Sequence, residues 1–282
     1  MPELPEVEIL VRHLDPVLRG RTIRDVTVHR AKSVRPDTVR RFAAGVAGAK
    51  ILQVRRRAKY LLFDLETRSN APVLLLGHLG MTGRMYVQST RVALPKHAAV
   101  SLRLNRGMLV FEDTRYFGRM TLDASSLEKL GPEPLSDQFN GRVLQEGLLK
   151  CSQTIKTKLL DQGLLAGVGN IYASEALWHA RISPRKLSRR LSGTQCDRLA
   201  ECIQVVLRKA IEAGSTIPLD FSGEGTGDGL FYYGSTSETV GHEENLNVYD
   251  REGEPCSRCK GMIRRIVQTN RSTFYCPQCQ RG

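Results

Sequence analysis

The spacing of apolar residues changes along the chain, and the changes outline its organisation. Near the N-terminus Val7, Leu10, Val11 and Leu14 recur at helical intervals, so one helix face is apolar, and Pro16 is expected to end that helix. Short segments with strand character follow at 23–29, 52–56, 60–65, 73–76, 100–104 and 109–112. Turn-type residues such as Asn70, Asn105 and Gly107 separate several of them. Many short strands in this arrangement predict a β-sandwich or barrel-like first domain. A proline-bearing stretch, Leu130-Gly-Pro-Glu-Pro-Leu-Ser136, then interrupts the pattern and reads as a linker. Beyond it the period is helical. Leu199, Ile203, Val206, Leu207 and Ala210 mark one amphipathic helix, and residues 154–180 read as helix, glycine-rich turn (Gly163, Gly167, Gly169) and a second helix from Ile171. Residues 215–244 are rich in glycine, serine and acid, with little periodicity. A long mobile loop is expected there, and such loops are often functional. No internal repeat is visible.

Charge narrows the class. With 42 Lys and Arg against 29 Asp and Glu, the 282-residue chain carries +13. So basic a chain calls for a polyanionic partner, nucleic acid before an anionic membrane, because no basic amphipathic helix stands out. No apolar stretch approaches the ~18 residues of a membrane span, and the N-terminus lacks the charged and apolar regions of a signal peptide.

Four of the seven cysteines form two knuckles, Cys256-Ser-Arg-Cys259 and Cys276-Pro-Gln-Cys279, separated by sixteen residues. Two Cys-x-x-Cys pairs at such a separation read as one four-cysteine zinc site. Four thiolates complete a tetrahedral structural site. The intervening segment, with Lys260, Arg264, Arg265 and Arg271, reads as a basic β-hairpin fixed by metal rather than by a core. Cys151, Cys196 and Cys202 remain, an odd number that suits a reducing cytosol and free buried thiols.

The other end carries candidate chemistry in Met1-Pro-Glu-Leu-Pro-Glu6. Removal of Met1 would leave Pro2 with a secondary amine. An α-amino group with an ordinary pKa of about 7.7–8.0 is partly neutral at pH 7. A neutral amine can attack an electrophilic carbon and form an iminium, with Glu3 adjacent to move protons.

These ends and the stretches between them resemble bacterial formamidopyrimidine-DNA glycosylase along almost the whole chain. The pieces are Met1 to Glu8, Arg57-Ala-Lys-Tyr-Leu61, His78-Leu-Gly-Met81, Asp113 to Gly118, Leu130 to Ser136, Gly167-Val-Gly-Asn-Ile-Tyr-Ala-Ser-Glu175 and the zinc motif. The resemblance implies an α+β protein of two domains. An N-terminal β-sandwich with flanking helices would occupy 1–129, followed by a linker at 130–137. A helical domain with a helix-two-turns-helix motif and lesion-capping loop would occupy 138–244, and a four-cysteine zinc-finger β-hairpin 245–282. It further implies base-excision repair of oxidised purines by a bifunctional glycosylase and AP lyase. The flipped nucleotide would be attacked at C1′ by Pro2, and two eliminations would then cut the strand on both sides.

On this resemblance Glu3 is the general acid/base, Lys59 assists β-elimination, and Arg271 binds phosphate and assists δ-elimination. Met81, Arg115 and Phe117 match the residues that fill the void left by the flipped base, a role suited to apolar wedges and a planar donor fork. His97, in Lys96-His97, matches a DNA-contact position. Asn170 opens a helix after a glycine-rich turn, where amides bind anions. Lys156 and His78 are further candidate phosphate contacts. Residues 223–247 depart from the family pattern, which bears on base recognition. The expected cofactor is one structural zinc ion, the partner is damaged double-stranded DNA, and the protein is a monomer of the bacterial cytoplasm or nucleoid. Two alternatives remain open: an endonuclease VIII-like enzyme favouring oxidised pyrimidines, and a non-catalytic zinc-ribbon DNA-binding protein.

Overall fold

The computed structural model describes residues 2–214 and 246–281. They divide into two compact units, with the break between Glu128 and Lys129. The expected loop at 215–244 lies outside the described residues.

The first unit opens with α1 (Leu4–Leu18). Glu3 is its N-cap residue, and the Glu6 carboxylate reaches back to accept the Glu3 N–H at 2.7 Å. Val7, Leu10, Val11 and Leu14 are all buried, as their spacing predicts. Pro16 does not end the helix. It sits in the last turn, where its missing N–H removes a single bond, and the fully buried Leu14 and Leu18 hold that turn on the core.

Eight strands follow: β1 (Ile23–Val28), β2 (Lys50–Arg57), β3 (Tyr60–Glu66), β4 (Pro72–His78), β5 (Gly83–Gln88), β6 (Ala98–Leu104), β7 (Met108–Asp113) and β8 (Arg119–Thr121). They form two four-stranded antiparallel sheets, ordered β1-β6-β7-β5 and β2-β3-β4-β8. One core joins both sheets to α1 and to α2 (Val39–Val46), through residues such as Leu14, Phe42, Phe63, Leu75 and Phe111. This is the expected sandwich with flanking helices, closed by the short α3 (Ser125–Glu128). Two of its elements carry weak sequence signals. In β5, Arg84 is buried and pairs with Glu112 at 2.8 Å, and Tyr86 donates to the same carboxylate at 3.0 Å. An internal ion pair thus occupies positions where the strand pattern calls for apolar residues. In α2 only Phe42 and Val46 are buried, too few to establish a period.

In the second unit the stretch read as a linker is tied down. Gly131 N–H donates to the Gln162 carbonyl at 2.9 Å and Ala166 N–H to the Pro132 carbonyl at 3.0 Å. The helices are α4 (Gly141–Leu148), α5 (Ile155–Leu159), α6 (Asn170–His179) and α7 (Gly193–Glu212). Ser192 and Gln195 form a reciprocal capping box on α7, which buries the five apolar positions that its period marks. The second helix read from Ile171 is α6, and it is buried continuously from Ile171 to Trp178.

The hairpin β9 (Arg264–Gln268) and β10 (Arg271–Tyr275) turns through Thr269 and Asn270. Both have left-handed backbones, φ 48° and 59°, as a two-residue hairpin turn requires. Its reading as a segment held by metal alone is corrected. Trp178, Val248, Ile263 and Phe274 pack with Cys256 and Cys276 into a small core of its own. Residues 247–249 are held by Glu175 of α6. Its buried carboxylate accepts the backbone N–H groups of Asn247, Val248 and Tyr249, each at 2.9 Å, and the Asn247 side-chain amide at 3.1 Å. Glu175→Ala would leave these donors without their acceptor. It is expected to cost about 2–4 kcal/mol in denaturant unfolding, given about 1–3 kcal/mol for each donor left buried and unsatisfied, partly relieved by water. Unchanged stability would refute this account of the 247–249 segment.

Candidate active site and nucleic-acid interface

In the first unit, α1 directs Pro2 and Glu3 along β2. Val54 N–H donates to Asp15 at 2.7 Å, and farther along Arg56 pairs with Glu8 at 2.8 Å. This register carries the helix N-terminus toward the two-residue turn Ala58–Lys59, where Ala58 takes a left-handed backbone (φ 53°). Pro2 and Glu3 are buried. Lys59 is buried as well, at 7% exposure, so it does not belong to a solvated basic face despite its neighbours Arg55, Arg56 and Arg57.

His78 ends β4 opposite Tyr60, its ring centroid 4.9 Å from the tyrosine ring. Burial, with the nearby Lys59 and Arg119 cations, pulls its pKa down to about 4. Its Nδ1 accepts the Gly80 N–H at 3.1 Å, which leaves the proton of the neutral ring on Nε2. His78 therefore offers a neutral donor instead of a positive charge, and its other nitrogen fixes the start of the Met81 loop.

The three void-filling candidates are brought together by two loops packed back to back. Gly80 has φ +64°, and a Cβ there would lie 2.6 Å from the Gly118 nitrogen, so neither side chain nor ordinary backbone fits. The fully buried Asp113 organises both loops. It accepts from Thr82 Oγ1 at 2.5 Å, Arg115 N–H at 3.1 Å and Gly118 N–H at 2.7 Å. Tyr116 takes a left-handed backbone (φ 51°) between Arg115 and Phe117. The Arg115 guanidinium lies 4.8 Å from the Phe117 ring centroid. Met81 and Phe117 are 42% and 46% exposed, large apolar groups standing on a rigid base. His97 is half-buried, with Nδ1 3.4 Å from the Tyr116 hydroxyl.

Two cations that sequence reasoning missed complete this cluster. Arg30 lies 4.8 Å over the Tyr116 ring and Lys32 5.7 Å over the Phe117 ring. No motif marks them, because only the sandwich topology brings 30–32 beside 116–117.

In the second unit Lys156 does not reach the surface, which corrects its reading as a phosphate contact. It is fully buried, and its ammonium donates to Asn170 Oδ1, to the Ser272 carbonyl at 3.2 Å and to Thr273 Oγ1 at 2.9 Å. Asn170 Nδ2 also donates to the Ser272 carbonyl, at 2.9 Å. Lys156 thus ties the N-terminus of α6 to the strand that begins with the exposed Arg271. The four cysteine sulfurs lie within 4.8 Å of one another, with close pairs at 3.4 and 3.9 Å. Sulfurs about 2.3 Å from a tetrahedral zinc stand about 3.8 Å apart, so the set fits one zinc ion. The Trp178 indole N–H points at Cys256 Sγ from 3.4 Å, an outer hydrogen bond of the kind that orients metal ligands.

A β-sandwich entered by a glutamate-capped helix, with a helix-two-turns-helix domain and a four-cysteine hairpin, is the architecture of a zinc-bearing DNA glycosylase. Family models agree region by region. The formamidopyrimidine-DNA glycosylase N-terminal domain matches residues 1–120, its H2TH domain 130–221, and the zinc finger found in FPG and IleRS 253–282. Formamidopyrimidine-DNA glycosylases of Alcanivorax borkumensis and Chloroflexus aurantiacus are each 40% identical. They align over 100% and 99% of this chain and 100% and 98% of their own. A Lactococcus lactis enzyme variant in complex with Fapy-dG DNA superposes with TM-score 0.85 at 32% identity, covering 100% of both chains. The wild-type enzyme with DNA containing an oxidised pyrimidine gives 0.85 at 31%, again covering both chains completely. The chain belongs to the formamidopyrimidine-DNA glycosylase family, and its four cysteines hold one structural zinc ion.

Two measurements check this geometry. Cys276→Ser should release zinc and weaken DNA binding, and full binding by demonstrably metal-free protein would contradict the structural role. Because the His78 pKa is depressed from 6.5 to about 4, its contribution to stability is complete above pH 6.5. That contribution fades as pH falls toward 4. His78→Gln should reduce the loss of stability across this window, and an NMR titration of His78 near 6.5 would overturn the assignment.

Proposed function

We propose that this enzyme is a bifunctional DNA glycosylase and AP lyase acting on oxidised purines in duplex DNA, as a monomer in the bacterial cytoplasm. The observation that carries the reading is the Pro2–Glu3 terminus, buried at the start of a capped helix and directed toward the Lys59 turn. After removal of Met1, the Pro2 nitrogen attacks C1′ of the flipped nucleotide, and the C1′–base bond breaks with its electron pair leaving on the base. The C1′–O4′ bond then opens, its electron pair leaving on O4′, which takes a proton from Glu3, and the iminium that forms acidifies the C2′ protons. Loss of one proton expels the 3′ phosphate, and a second elimination expels the 5′ phosphate. Glu3 moves protons, Lys59 assists the first elimination, and Arg271 holds phosphate for the second.

Around this chemistry Met81, Arg115 and Phe117 fill the void of the extruded base, with Arg115 facing the orphaned partner. His97, Asn170 with the α6 amides, and the neutral His78 supply hydrogen bonds to the strand. Lys156 contributes through Asn170 and the hairpin. A relative's complex with DNA containing an oxidised pyrimidine supports such lesions as a second substrate class. Comparative excision from duplexes bearing each lesion measures the balance between them.

The test is covalent trapping. Borohydride should capture a protein–DNA adduct on an 8-oxoguanine duplex, and the adduct should map to Pro2. An extra residue ahead of Pro2 should abolish it. An adduct mapped to a lysine, or none at all, would falsify the mechanism. Arg271→Ala should keep zinc and trapping while β-eliminated product accumulates over the fully excised gap.

A further inference from the structure

We propose that the basic groove formed by residues 183–190 is an additional docking surface for the sugar–phosphate backbone of duplex DNA beyond the lesion. This proposal rests on the DNA-repair reading above. The groove, about 670 Å³ in volume, is lined by Ser183, Arg185, Lys186, Leu187 and Arg190. Residues 181–190 hold Arg181, Arg185, Lys186, Arg189 and Arg190 and no acidic residue. Among the described residues, Arg185, Lys186 and Arg190 have no carboxylate partner, whereas the neighbouring Lys158 is paired with Asp161. Unpaired cations concentrated on one loop carry a standing electrostatic cost, which a polyanion offsets.

The loop presents these cations on a braced backbone. Arg185 and Lys186 N–H groups donate to Ser183 Oγ and carbonyl at 3.3 and 3.1 Å. Ile155 N–H donates to the Lys186 carbonyl at 2.8 Å, and Ser188 N–H to the Gln153 carbonyl at 2.9 Å. The loop that lines the groove is also tied to the hairpin. Gln268 Nε2 donates to Thr154 Oγ1 at 2.9 Å and to the Pro184 carbonyl at 3.2 Å, and Gln268 stands opposite Arg271 in the β9–β10 pair. The groove cations and Arg271, the proposed phosphate-binding arginine, therefore stand on tied segments of one unit. A strand offers a phosphate about every 3.4 Å, so a backbone engaged at Arg271 has further phosphates for the groove to take. A small anion would need fewer charges and a more enclosed site.

The experiment compares full-length, zinc-loaded wild type with R185Q/K186Q/R190Q and with the charge-preserving R185K/K186R/R190K. Binding is measured against salt on two duplexes, one covering little more than the lesion and one extending well past it on both sides. On the long duplex the log–log salt slope of the glutamine variant should be shallower by up to about 0.9 per cation removed. On the short duplex slope and excision should stay at wild-type values, and the charge-preserving variant should match wild type on both. Equal losses on the two duplexes would place the groove within the lesion site or the fold and overturn the proposal. No change on the long duplex would overturn it as well. Absence of excision by wild type on either duplex would instead count against the enzymatic reading, leaving the slope comparison on undamaged DNA to judge the groove.

Discussion

A buried ammonium is tolerated only when its protons find acceptors, because the cost of removing it from water is otherwise several kcal/mol. Lys156 meets that condition with one side chain from the start of α6 and two groups from β10. Its acceptors are therefore held at fixed positions relative to one another, and so are the segments that carry them. Asn170 at a helix N-terminus and Arg271 at a strand start are separated by a hundred residues of sequence. The need to satisfy one charge sets them in register. The zinc ion and the Trp178-centred core stabilise the hairpin internally, while Lys156 determines where the hairpin sits on the helices.

The first unit applies the same constraint with the opposite sign. Asp113 is a buried anion that takes protons from Thr82, Arg115 and Gly118, and in doing so it welds the Met81 loop to the Phe117 loop. Met81 and Phe117 are exposed on the result. Apolar groups left in water cost about 25 cal/mol per Å², and a mobile loop would fold them inward. The rigid base prevents that, and in the proposed wedge role the cost would be relieved only when a void in a base stack takes them. His78 links this assembly to the Lys59 turn as a neutral ring, which adds no charge beside a lysine that is already buried.

Much of this was legible in the sequence, for particular reasons. Most of the sandwich strands read as short apolar runs between turn residues, and α7 follows its period because it buries one face. The zinc ligands could be read because tetrahedral thiolate coordination demands paired cysteines at close spacing. The candidate catalytic groups were legible only through the joint occurrence of motifs, since neither Pro2 nor Lys59 carries a distinctive spacing. What was missed follows from burial of polar groups. Arg84 and Glu112 conceal β5. Lys156 reads as a surface cation because nothing local shows that Ser272 and Thr273 will surround it. Arg30 and Lys32 acquire their aromatic partners only through the fold.

The distribution of charge suggests how search and recognition are separated in this protein. Contacts to phosphate are blind to sequence and to damage, and they weaken steeply with salt. On the proposed reading, cations at Arg271 and along 185–190 would supply grip on any duplex and permit sliding. In the proposed wedge role Met81 and Phe117 would act differently, gaining only where a base can leave the stack, and leaving costs least at a weakened pair. Strengthening the phosphate grip alone would slow the search without improving discrimination. The two sets stand on separately braced elements, Asp113 for the wedge and Lys156 for the hairpin, so each can vary without distorting the other. On the proposed mechanism, a chain as basic as +13 would bind undamaged DNA broadly while reserving its covalent chemistry for nucleotides that the wedge displaces.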